Sequence, residues 1–409
     1  MYKRQLPYGA RYLNNIWRDA TTDTIAAFNP FVTKELVHEN GRWMGNNRIT
    51  GGVICPDVSL LENANTLIFG SSGFGKSMLE KIDILMELLG KFGDNTDFLI
   101  IDPEGEWQNI ARYLYGDLFM FSAGSAMHLN PLKLTEQQYL ERGDNIYAMK
   151  SEFLLTVVRM MLNMEKKDSR MESIVDRCLR KVCKKVDEPT LTDVWHELYE
   201  QEEEIAQDIA LGLEIYVEGA LNIFAHKNNM ERKSNFTVYD TSALGKNIMA
   251  VSTFTIMESI FDIVARNFKI GRRTVIVIEE FHMFSDNEVT AEYMDKMWRR
   301  YRKYGGRVVG STQQLEDLVK TDKGRTYIEN SELVVMLRQK PHNLRLIQES
   351  YNLSASQCKF IENAPQGCGL LGFGKTYIPF EKVIDRSIAP TLYDLLTTKP
   401  EEGYGVQEK

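Results

Sequence analysis

The chain has 409 residues, a net charge of −8 and 43% hydrophobic residues. That length suits two or three units, or one large α/β domain carrying an insertion, and that apolar content excludes global disorder. The acidic balance argues against a dedicated nucleic-acid coat, which is usually basic, while permitting a local basic patch.

Residues 1–60 read as an entry segment. Its N-terminus, MYKRQLPYGARY, has no apolar stretch of the kind a secretory signal carries. It begins as though cut from a longer chain. The stretch from Lys34 to Val53 holds two turn signals, Asn40-Gly41 and Gly45-Asn46-Asn47, and is hairpin-like. From Thr66 the pattern changes. Thr66–Phe69 is a short apolar run, and Ser77–Lys91 then places Met78, Ile82, Leu85, Leu88 and Leu89 at helical spacing. Phe98–Ile101 and Leu118–Phe121 are further buried-strand candidates. The longest uncharged stretch, Leu118–Leu132, is broken by Ser122, Gly124, Ser125, His128 and Asn130. No run therefore reaches the roughly 18 apolar residues of a membrane helix, and membrane contact is expected to be peripheral or through partners.

Helical patterns at about 136–165, 169–186, 190–201 and 203–224 follow with hardly any strand signal, so residues 136–230 read as an all-α insertion. Strand signals resume at 236–239, 274–278, 307–310, 333–337 and 369–371, with helical patterns at about 247–268, 287–303 and 342–352 between most of them. Strands alternating with helices imply a mostly parallel sheet covered on both faces. The expected organisation is an α/β core in two parts, 61–135 and 231–390, split by the insertion and followed by a polar tail, 391–409. Five cysteines without a C-x-x-C pair and six histidines without H-E-x-x-H argue against zinc and disulfides, and fit a reducing cytoplasm.

The strongest chemical signal is Gly70-Ser71-Ser72-Gly73-Phe74-Gly75-Lys76-Ser77, a full match to G-x-x-x-x-G-K-[ST] between a strand and a helix. Glycines let the backbone curl so that successive N–H groups point at phosphate oxygens, and the helix N-terminus favours anions. Lys76 is expected to reach the β- and γ-phosphates of ATP, and the Ser77 hydroxyl to ligate Mg²⁺. A second acidic motif, Thr274-Val275-Ile276-Val277-Ile278-Glu279-Glu280, ends a strand in two carboxylates that alternation sends to different sides. Glu279 is assigned to Mg²⁺ and Glu280 to the base that polarises the attacking water. Gln313, after the strand Val308–Gly310, is the candidate γ-phosphate contact, with Gln314 as the spare. Asp102, Glu104 and Glu106 in LIIDPEGEW either line the site or form an acidic turn. The basic stretch Lys296–Arg307 has three readings: a solvated helix face, an arginine finger for a neighbour's site, or a DNA-facing patch with Trp298, Tyr301 and Tyr304. Arg302 is the preferred finger and Arg338 its rival.

Taken together, G-S-S-G-F-G-K-S, I-D-P-E-G-E-W, L-N-P-L, V-I-V-I-E-E-F-H, Y-R-K-Y-G-G-R and S-T-Q-Q-L-E-D-L resemble the C-terminal ATPase domain of the VirB-four family of type IV secretion and conjugative transfer ATPases. The resemblance runs from about Asn29 to about Ile384 and implies a RecA-like P-loop core related to conjugative coupling proteins and to HerA and FtsK translocases. It also implies an all-α insertion, a hexameric ring, secretion-channel proteins and a coupling ATPase as partners, and a place on the cytoplasmic side of the cell membrane. Family members carry a further N-terminal domain, so this chain is expected to be a C-terminal portion. By position, Lys76 and Ser77 bind phosphate and Mg²⁺, Glu280 is the catalytic acid, Gln313 the motif glutamine and Arg302 the basic motif. Glu279 departs from the family's usual Asp. The competing function is a DNA-pumping translocase, which the net charge disfavours.

Overall fold

The computed structural model describes residues 35–133, 146–164, 168–284, 288–313, 316, 318 and 322–397. Most of the entry segment, the first turns expected before Ile146, Gln314 and the tail from residue 398 lie outside the described residues. In chain order the strands and helices are β1 (Gly45–Asn47), β2 (Val53–Ile54), β3 (Thr66–Phe69), α1 (Lys76–Leu88), β4 (Thr96–Asp102), α2 (Gln108–Tyr113) and β5 (Asp117–Ser122). Four helices follow: α3 (Ile146–Met161), α4 (Ser169–Lys185), α5 (Leu191–Tyr199) and α6 (Glu204–Val217). Next come β6 (Phe236–Ala243), α7 (Lys246–Lys269), β7 (Arg273–Ile278), α8 (Glu288–Arg300), β8 (Gly306–Thr312), α9 (Asp322–Glu329) and β9 (Leu333–Leu337). The last elements are α10 (Pro341–Tyr351), α11 (Ala355–Glu362), β10 (Cys368–Phe373), β11 (Thr376–Glu381) and α12 (Pro390–Leu396).

All eight strands expected from apolar runs are present, and they join one sheet in the order β2-β1-β11-β10-β9-β3-β8-β7-β4-β6-β5. From β9 to β5 every neighbouring pair is parallel, whereas β10, β11, β1 and β2 extend the sheet antiparallel. β11 was not expected, because Pro379 interrupts its strand-like pattern.

Alternation along the strands sorts side chains to two faces. Ile68, Phe98, Ile100, Val275 and Val277 pack under α1, α2 and α12. Leu67, Phe69, Leu99, Ile101, Ile276 and Ile278 pack under α7 and α8, in a core that also takes in the buried faces of α3 to α6. The insertion helices therefore share the hydrophobic core of the sheet. Phe153 on α3 stacks on Phe254 of α7 at 4.7 Å between ring centres. Local signals fix their starts: Asp168 caps α4, and Thr190 with Asp193 forms a capping box on α5. Within α7, Ile248–Lys269 is the one segment among the described residues long and apolar enough to cross a bilayer. Its Val251, Met257, Ile260 and Val264 are buried in the core, and Ser252, Thr253, Glu258 and Asp262 interrupt its apolar run.

One part of the basic stretch is structural. Arg307, at the start of β8, is buried and pairs with Glu87 at the end of α1, which also pairs with Arg42. Burial alone would raise the Glu87 carboxyl, but the charges of Arg307 and Arg42 outweigh it and hold it below its ordinary range. That depressed value means the pair's contribution is present above the unfolded glutamate value of about 4.3 and is lost as pH falls through the folded one. Arg307→Ala is expected to destabilise the fold by about 2–3 kcal/mol near neutral pH, because Glu87 loses one of its two ion-pair partners and keeps Arg42 with the more remote charge of Arg273. Denaturant unfolding measures it, and the loss shrinks as the pH is taken below about 4.

Candidate active site

The phosphate loop leaves the C-terminal end of β3 and turns into α1. Gly73 and Gly75 have φ of 83° and 88°, the left-handed region that side chains with a Cβ rarely adopt. Gly75 caps α1, whose first N–H groups have no intrahelical carbonyl. The loop is clamped from two sides. Ser71 N–H donates to the Arg338 carbonyl at 3.0 Å after β9, and Gly367 N–H donates to the Phe74 carbonyl at 3.1 Å. A cleft of ≈ 860 Å³, lined by Ser71, Ser72, Phe74, Gln313, Arg338 and Gln339 among others, opens beside it. Ser77 is half-buried, and among the described residues its hydroxyl has no hydrogen-bond partner.

Strand order brings the acidic motif to the same edge. β8 lies between β3 and β7, all parallel, so Thr312, Glu279 and the loop emerge together. Lys76 is 6% exposed, and its Nζ lies 2.7 Å from Oε1 of Glu280. Gln313 donates from Nε2 to the same oxygen at 2.9 Å and from its backbone N–H to Oε2 at 3.3 Å. His282 brings Nδ1 to 3.2 Å from Oε2. Burial would push Glu280 up, but the His282 hydrogen bond, the Lys76 charge and Gln313 win, and it is held down to about 2. Glu280 itself has φ of 42°, unusual for a residue with a Cβ. The chain thus leaves β7 by a sharp kink at the residue that carries the charge.

Glu279 has the opposite environment. It is 1% exposed, and neither carboxylate oxygen has a hydrogen-bond partner. Burial first, then the charges of Glu80, Asp102 and Glu106, raises it well above the ordinary carboxylate range. Glu80, one turn along α1 from Lys76, is also fully buried, and burial pushes it up to about 7 against the opposing charge of Lys76. Lys81 is buried too, with Nζ 3.4 Å from Glu106. Buried carboxyls without donors are groups that a divalent cation could relieve, and Glu279 and Ser77 would be the ones to face it.

The other candidates fall as follows. Asp102 caps its own turn, with Oδ1 accepting from Glu104 and Glu106 N–H at 3.2 and 3.1 Å and Oδ2 from Trp107 N–H at 2.8 Å. For Asp102 the acidic-turn reading wins. Trp298 and Tyr301 are core residues, 0% and 2% exposed, and Tyr304 packs on Phe261 and Phe268. The reading of these aromatics as a DNA-stacking platform is therefore overturned: the helical period turns them inward. Arg302 is exposed on the turn that enters β8 and lies on the opposite edge of the sheet from the phosphate loop, so it does not join Lys76, Glu280 and Gln313 within the chain. Arg338 does reach the loop, with its guanidinium 4.9 Å from the Phe74 ring centre. His282 and Glu80 were missed. The only signal for them was proximity in sequence, two residues after Glu280 and four after Lys76.

A phosphate loop after β3, a carboxylate after β7 and a glutamine after β8 mark a RecA-like P-loop nucleoside triphosphatase. The model of the AAA-like domain family matches residues 59–367, and the chain belongs to that family. The fold is similar to that of VirB4 of Thermoanaerobacter pseudethanolicus, with a TM-score of 0.74 at 22% identity over 86% of this chain and 98% of that one. It is also similar to the bacterial conjugative coupling protein TrwBdeltaN70, with a TM-score of 0.53 at 14% identity over 85% and 91%. Plasmid coupling protein TrwB in complex with the ATP analogue ADPNP gives 0.52 at 15% identity over 90% and 94%. No curated protein matches. The likeness bears out the fold that the motifs implied.

The partnerless carboxylate makes a prediction. A raised folded value means that ionising Glu279 costs stability as pH climbs above the unfolded value. Glu279→Gln, neutral and of the same shape, is expected to raise the melting temperature of the metal-free protein by about 1–2 °C at pH 8. The same change should reduce the further rise that Mg²⁺ with nucleotide produces. Calorimetry with and without both measures it.

Proposed function

We propose that this chain is the ATP-hydrolysing motor of a type IV secretion or conjugative DNA-transfer system, coupling Mg-ATP hydrolysis to channel assembly or substrate transport. The observation that carries the reading is the convergence of Lys76, Glu280 and Gln313 at one strand edge, in a fold shared with VirB4 and TrwB.

The geometry suggests the sequence of events. Without nucleotide, Lys76 neutralises Glu280. An incoming triphosphate competes for Lys76, and Glu280 is left ionised, with the side of Oε1 that Lys76 vacates open to a proton from water while Gln313 keeps its bond. Gln313, already bonded to Glu280, links that carboxylate to the γ-phosphate and reports its loss. Ser77 and Glu279 would hold Mg²⁺, which would supply charge neutralisation at the phosphate oxygens. Arg302, exposed and remote from its own site, is the finger offered to a neighbour in a hexamer. Channel proteins and a coupling ATPase are the partners, at the cytoplasmic face of the cell membrane.

Steady-state ATP hydrolysis tests the reading, with Lys76→Ala as the blank. Glu280→Gln is expected to lower turnover at least about 100-fold while ATP binding persists. Normal turnover in that variant removes Glu280 as the base. Specific activity should climb as protein concentration increases, because a finger supplied in trans needs a neighbour; a flat profile with intact turnover removes Arg302 from that role. Adding single- or double-stranded DNA at several salt concentrations separates the alternatives. Indifference to DNA supports the secretion motor, and strong salt-sensitive stimulation supports a HerA- or FtsK-type translocase instead.

A further inference from the structure

The Glu280 carboxylate has two oxygens in different settings. Oε1 takes Lys76 and the Gln313 side chain, at 2.7 and 2.9 Å. Oε2 takes the Gln313 backbone N–H at 3.3 Å and His282 Nδ1 at 3.2 Å. His282 does not act alone, since the same Nδ1 lies 3.1 Å from Thr312 Oγ1 at the end of β8. The imidazole therefore bridges the kink after β7 to the neighbouring strand. With the proton on Nδ1, its N–H points between Glu280 Oε2 and Thr312 Oγ1, and both oxygens can accept it.

Each oxygen then has a distinct fate when nucleotide arrives. The Lys76 contact on Oε1 is the exchangeable one, because Lys76 has phosphate to go to. The Oε2 contacts belong to the protein frame, and nothing in the nucleotide competes for them. A carboxylate on a residue with φ of 42° has no strand ladder of its own to hold its direction. Orientation has to come from side-chain anchors, and small misalignments of a base are costly.

We infer that His282 is a positioning residue: it fixes Oε2 of Glu280 against Thr312, so that Oε1, once Lys76 has left it, faces the attacking water. This rests on the hydrolytic reading above and adds to it which oxygen is the base and what aims it. Oε1 takes the water's proton while the water oxygen bonds to the γ-phosphorus and the bond to the leaving oxygen of the nucleoside diphosphate breaks. His282 neither gives nor takes a proton in that step.

The test is a KM-against-kcat comparison on the full chain. His282→Ala is expected to lower kcat about tenfold, with KM for ATP unchanged within about twofold. His282→Asn, whose amide N–H can stand where Nδ1–H stood, should recover most of the loss. Thr312→Val, which removes the far end of the bridge, should lower kcat about threefold. The Thr312 variants also serve if His282→Ala does not fold, with Thr312→Ser retaining the wild-type rate. Wild-type kcat in His282→Ala overturns the inference. So does an Asn variant as impaired as Ala, or a KM that rises in step with the fall in kcat. Absence of ATP hydrolysis in the wild type is a different failure, that of the functional reading itself.

Discussion

A lysine that must be free to meet phosphate is also nearly sealed from water, and that pairing of demands organises the site. Lys76 at 6% exposure cannot stay charged without a counter-ion, and the nearest is Glu280. The contacting partner comes from another strand, because the phosphate loop carries no acid and Glu80, one turn along α1, adds its charge without touching Lys76. β8 between β3 and β7 sets the spacing across the edge, and the parallel register brings all three C-terminal ends level. The sheet thus delivers Glu280, Lys76 and Gln313 to one point although they lie far apart in sequence.

The two adjacent glutamates then show how strand geometry divides labour. Glu279 ends surrounded by other acids and without a donor, whereas Glu280 ends among Lys76, His282 and Gln313. One is pushed up and the other held down, although the side chains are identical. The difference comes from alternation along β7 and from the kink at Glu280, not from residue type. One lacks donors and the other is held by three of them.

Around this edge the rest of the molecule is support. The helices of the insertion share one continuous core with α7, so they brace the sheet from the face opposite α1. At the far edge, Arg307 and Arg42 close on Glu87 and fasten the start of β8 to the end of α1. The helix that follows the phosphate loop and the strand that carries Gln313 are therefore tied at both ends.

Much of this was legible in the chain. The phosphate loop, the strand ending in Glu279-Glu280 and Gln313 carry local signatures, because glycine conformations, strand composition and helix caps are properties of a few consecutive residues. Eight strands and the alternating helices followed from the period of apolar residues for the same reason. Tertiary structure alone decided what those side chains meet. His282 meets Thr312 as well as Glu280 because β8 lies beside β7. Asp102 became a turn cap rather than a site residue because three N–H groups curl back onto it. Trp298 and Tyr301 turned inward and Arg307 vanished into an ion pair, although their charge and aromatic pattern reads as surface. Sequence fixes what a residue can do over short distances; burial, pairing and the value of a charge depend on neighbours that the fold supplies from far along the chain.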